Sequence, residues 1–163
     1  MLIKSARHAA AALALVLFAI PAVQAQTATQ TATFAVNAIN QIAFVGAPSM
    51  TITTAVAGSA PTSVTDALST WAVTTNQSTA KITASIASNM PAGLTLSSTL
   101  AAPAGATSAG IKALSTVAAD MVTVITKVAQ GALGVTYQLD ATPAAGVITS
   151  ATRVVTYTIT GGV

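Results

Sequence analysis

Two stretches near the C-terminus leave this chain few ways to fold. Val135–Ala141 reads V-T-Y-Q-L-D-A, and Val154–Thr160 reads V-V-T-Y-T-I-T. In the first, Val135, Tyr137, Leu139 and Ala141 fall on one side, and Thr136, Gln138 and Asp140 on the other. In the second, Val155, Tyr157 and Ile159 alternate with Val154, Thr156, Thr158 and Thr160. Period-two alternation of β-branched and aromatic residues predicts half-buried strands. Pro143-Ala-Ala-Gly146 breaks the chain between them. The rest is expected to pack in layers on this pair.

The same signals recur upstream. Phe34–Val45 carries Phe34, Val36, Ile39, Ile42 and Phe44 before the turn at Gly46-Ala-Pro48-Ser49. Met50–Val56 reads as a short strand around Ile52, and 57–63 as a loop. Ser69–Thr75 and Ala80–Ser88 predict a hairpin, with Trp71, Val73 and Thr75 facing Ile82, Ala84 and Ile86 through the connection 76–79. Leu94–Leu100 follows Pro91 and Gly93, and 101–110 is a loop of small residues. Ile111–Val128 is ambiguous: Val117, Met121, Ile125 and Val128 fit a helical face. The β-branched run within Met121–Val128 favours a strand, which is the reading taken. Many short strands without alternating helices predict an all-β fold, an antiparallel β-sandwich of immunoglobulin-like type.

Residues 1–25 have the layout of a signal peptide. Lys4, Arg7 and His8 precede an apolar run from Ala9 to Ile20, then Pro21 and the small-residue site Val23-Gln24-Ala25. The run is well short of the ~20 residues that span a bilayer. Cleavage after Ala25 would leave 26–163 as a single secreted or cell-surface domain with no membrane span. That domain carries Lys81, Lys112, Lys127 and Arg153 against Asp66, Asp120 and Asp140, a net charge of +1. The cations are scattered, so no nucleic-acid partner is expected. A neutral surface rich in Thr, Ser and Ala gives little colloidal repulsion and suits self-association.

Reactive chemistry is scarce. The chain has no Cys and no Glu, and its one histidine, His8, falls in the leader. Residues 26–163 therefore offer no Ser-His-Asp or Cys-His arrangement and none of the usual zinc or copper ligand sets. No catalytic residue, cofactor or metal is expected, and an enzyme is the least favoured class. Two motif matches fail on context. Ser78-Thr-Ala-Lys81 fits S-x-x-K at a connection between strands, without its companion motifs. Ala106-Thr-Ser108-Ala-Gly110 approximates a nucleophile elbow without a histidine partner. Trp71, Tyr137 and Tyr157 are expected in the core, because each lies in an alternating strand.

The stretch Thr27–Val36 is different. Its alternation is regular, but only Phe34 and Val36 have apolar weight. Ordering ten residues costs roughly 10–20 kcal/mol in backbone entropy. Burying Phe34 and Val36 returns only ~1.5–3 kcal/mol each. The segment therefore needs strand partners on its edges, in its own domain or in a neighbour. A leader, an alternating extension and a sandwich body resemble, in general design, secreted pilus and fimbrial subunits. There an N-terminal extension of one subunit completes the sheet of the next. The resemblance implies a structural subunit of an extracellular fibre, pilus or matrix whose partner is itself, with Phe34, Val36 and Ile39 at the contact. The alternative is a surface adhesin that binds a glycan or another cell-surface component. A functional amyloid is a third reading.

Overall fold

The computed structural model describes residues 24–162. The signal-peptide expectation lies outside the described residues except for Gln24 and Ala25. The chain divides into two units, 1–35 and 36–163. The described part of the first, 24–35, is exposed throughout and contains no helix or strand.

The second unit is all-β apart from one turn of 3₁₀ helix at Pro143–Ala145. Its strands are β1 (Asn40–Val45), β2 (Val64–Thr75), β3 (Ala80–Ile86), β4 (Leu94–Leu100), β5 (Thr107–Ser108), β6 (Lys112–Ala113), β7 (Ala119–Ile125), β8 (Val128–Ala141) and β9 (Val155–Thr160). They form a five-stranded sheet in the order β1-β2-β8-β4-β6 and a four-stranded sheet in the order β5-β7-β3-β9. Every pairing is antiparallel. Two antiparallel sheets share one core, as in a β-sandwich.

Alternation decides which side chains enter that core. Trp71 and Val73 from β2, Leu133, Val135 and Tyr137 from β8, and Leu96 and Leu100 from β4 are buried on the inner face of the larger sheet. Ala80, Ile82, Ala84 and Ile86 from β3 meet them from the smaller one, with Met121, Val122 and Ile125 from β7. Trp71 donates its indole N–H to the Ala101 carbonyl at 3.1 Å, so its one polar group is paired. Each large apolar side chain buried this way contributes ~1.5–3 kcal/mol.

Three sequence expectations need correction. β2 and β3 do not pair as a hairpin: β2 lies between β1 and β8, and β3 between β7 and β9. Both strands carry an apolar inner face, and the connection 76–79 crosses between sheets so that these faces oppose each other through the core. The C-terminal strands β8 and β9 are likewise in different sheets. They meet across the core, where the hydroxyls of Tyr137 and Tyr157 lie 2.9 Å apart. Met50–Val56 forms no strand beyond an isolated bridge from Ala55 to Pro61. Its burial still alternates, with Met50 and Ile52 half-buried and Thr51 and Thr53 exposed.

The ambiguous stretch Ile111–Val128 holds β6, then β7, which takes in Met121–Ile125 and begins at Ala119, and a break at 126–127 before β8 starts at Val128. Its helix-like spacing comes from irregular pairing with β3, whose register shifts between Ala80 and Ile82 and again between Ile82 and Thr83. The strand changes phase there, so Met121, Val122 and Ile125 all face inward. Val124 takes a φ of 60° at this irregularity, which is a strained conformation for a β-branched residue.

Candidate functional site

The two sides of the sheet pair end differently. On one side the edge strands are β5 and β6, of two residues each. On the other they are β1 and β9, of six residues each. Among the described residues β1 pairs only with β2, and β9 only with β3. Long edges are usually blunted by Lys, Pro or a covering element. β1 reads N-Q-I-A-F-V and β9 reads V-T-Y-T-I-T, with no charge and no proline.

The free side of β9 can be assigned residue by residue. Ala87 donates its N–H to the Val154 carbonyl at 3.1 Å, continuing the β3–β9 ladder by one residue. Hydrogen-bonded and non-hydrogen-bonded pairs alternate in an antiparallel ladder. The backbone groups of Val155, Tyr157 and Ile159 therefore point away from β3, along the open edge.

β1 and β9 come together at one point. The rings of Phe44 and Tyr157 stack with centroids 4.0 Å apart and planes at 11°. Phe44 also stacks on Trp71 at 5.9 Å. Behind this contact the Tyr157 hydroxyl meets Tyr137 and, at 3.2 Å, the hydroxyl of buried Ser98. Burial and the hydrogen bond to Tyr157 push the Tyr137 phenol well above its ordinary pKa.

Beyond the aromatic contact the sheets are not closed. A cleft of about 900 Å³ opens there, with Leu96, Tyr137 and Leu139 among its lining residues. One wall is the segment from Pro48 to Ala55, and the other runs from Thr142 to Arg153. Among the described residues, 50–53 and 147–153 make no backbone–backbone hydrogen bond outside the regular elements. Two stretches of chain thus border an apolar floor with their backbone groups unpaired by other backbone.

Of the residues expected at the contact, Phe34 is 90% exposed, Val36 79% and Ile39 40%. No strand covers 24–39. Ile39 is tied to the body, its N–H donating to Asn76 Oδ1 at 2.8 Å.

The other candidates have structural roles. Trp71 and Tyr137 are buried in the core. Lys81 pairs with Asp120 at 2.9 Å on the surface. Ser108 donates to the Leu100 carbonyl at 2.7 Å. Asp66 accepts from the N–H groups of Ser49 and Leu68, and Asp140 from Ser63 and Gln138. Among the described residues no helix is long and apolar enough to cross a membrane.

Sequence reasoning missed the cleft walls. The alternation of Met50 and Ile52 was legible, but not that its ladder has no partner. No protein-family model, curated protein or solved structure matches the chain.

Proposed function

We propose that this chain is a secreted structural subunit of an extracellular fibre, pilus or matrix that assembles by strand addition. The arm 27–36 of one copy would lie along the open side of the next, between β1 with its continuation 48–55 and β9 with its approach 147–154. The observation that carries this reading is the pairing of two six-residue, uncharged edges with a cleft whose walls, at 50–53 and 147–153, make no backbone–backbone hydrogen bond among the described residues. Phe34 and Val36 supply the apolar groups that would enter it, and their backbone supplies the missing ladder.

The immunoglobulin-like reading agrees with this role. In that fold the sheets run A-B-E-D and C-F-G. The order β1-β2-β8-β4 corresponds to A-B-E-D, and β3-β9 to C-F. On this reading the free edge of β9 is where a strand in the G position pairs, and it is the edge the arm would take. Residues 26–163 contain no His, Cys or Glu, which accords with a non-catalytic role. Adhesion to a glycan is the second reading, drawn from the hydroxyls of Thr51, Thr53, Thr149 and Thr152 around the same cleft.

Deleting Gln26–Val36 tests the proposal. The expected result is a folded monomer, with native strand content by circular dichroism, that no longer forms heat-resistant high-mass assemblies. Assemblies that form as before would contradict it. Glycan-array binding that survives the deletion and is lost on changing Thr51 and Thr53 would favour adhesion instead.

A further inference from the structure

We infer that Asn76 is a positioning residue that fixes the point at which the N-terminal arm leaves the body; as a role in assembly, this rests on the strand-addition reading above. The β1–β2 ladder ends at the pair Asn40 and Thr75. Beyond it, Asn76 continues the ladder largely with its side chain. Its backbone N–H donates to the Ile39 carbonyl at 3.3 Å. Its Oδ1 accepts from the Ile39 N–H at 2.8 Å, and its Nδ2 donates to the Asn37 carbonyl at 2.8 Å. A carboxamide holds one acceptor and two donors, so it can stand in for a peptide group of a neighbouring strand.

The surroundings fix its orientation. The Ile39 N–H can only donate, so the end of the carboxamide facing it is oxygen, and Gln77 Nε2 donates to that same oxygen at 2.9 Å. Thr75 Oγ1 donates to Asn40 Oδ1 at 2.7 Å and accepts from the Gln77 N–H at 3.0 Å. Gly161 passes so close that a Cβ there would lie 2.3 Å from Asn40 Nδ2. The start of β1, the end of β2 and the residues after β9 are thus knotted at one corner. The side chain of Asn76 extends this tie to the Asn37 carbonyl. The free length of the arm therefore begins at about Asn37 rather than at Asn40. In a fibre joined through such arms, each residue released at the root lengthens the flexible joint between subunits.

The test compares the full exported chain with its Asn76→Ala and Asn76→Asp variants. Asn76→Asp keeps the acceptor for Ile39 and loses the donor to Asn37, and it serves as the readout should Asn76→Ala not fold. In the monomer, amide exchange at Ile39 is expected to accelerate on the order of tenfold or more in Asn76→Ala, with Ile82 and Val135 unchanged. In assembled fibres imaged by electron microscopy, subunit incorporation is expected to persist while the persistence length falls by roughly half. Unchanged exchange at Ile39, or fibres as stiff as those of the parent, would overturn the role of Asn76. A parent chain that forms no fibre at all would overturn the strand-addition reading, and with it the role in assembly. The exchange rates would then still show whether Asn76 holds Ile39.

Discussion

Two tyrosine hydroxyls show how closely this interior is specified at the scale of single residues. Tyr137 is buried, and its hydroxyl is satisfied by Tyr157, which in turn reaches Ser98. Burial and that hydrogen bond favour the neutral phenol in the folded chain. The unfolded chain ionises this phenol near its ordinary pKa of about 10. Above that pH the unfolded state binds fewer protons than the folded one. Stability contributed by this group is therefore complete below pH ~10 and is lost as pH rises beyond it. Tyr137→Phe should cost ~1–2 kcal/mol at neutral pH, through the lost hydrogen bond, and flatten the alkaline loss. Urea titrations across the alkaline range measure both. Gly93 makes a second residue-scale case. Its φ is 78°, and a Cβ there would lie 2.4 Å from the backbone nitrogen of Ala145. Gly93→Ala should displace the turn at 143–145 from β4 and cost about 2 kcal/mol or more. Thermal unfolding reads that loss.

Elements were legible in the sequence by kind, and much less by partner. Alternation in Val135–Ala141 and Val154–Thr160 marks strands, because side chains alternate between faces in any strand. It carries no information about which sheet a strand joins. Trp71, Val73, Ile82 and Ala84 are equally consistent with a hairpin and with two strands facing each other across the core, and the chain takes the second arrangement. The irregular pairing of β7 hid its period, since a phase change brings Met121 and Val122 inward together. Met50 and Ile52 show the reverse case, an alternating segment left without a ladder. The open edge of β9 was invisible for the same reason: an edge is defined by the absence of a neighbour. A test of that edge follows. Thr156 and Thr158 are exposed on β9 and flank Tyr157. Thr156→Lys combined with Thr158→Lys should leave the fold intact and suppress self-association, because lysines on an edge discourage strand addition. Analytical ultracentrifugation of the variant against the parent checks this, and equal association in both would count against β9 as the acceptor.

For the molecule as a whole, the account joins an exposed apolar arm to a cleft that lacks a strand. The chain's lack of cysteine makes this unusually direct to test. One tagged copy carries Ala32→Cys in the arm, and a differently tagged copy carries Thr53→Cys in the cleft wall. The two are mixed, allowed to assemble and oxidised. The account predicts disulfide-linked dimers that contain both tags, and a ladder of higher multiples when both substitutions are placed in one chain. Assemblies that form without such cross-links, or cross-links confined within single chains, would contradict it.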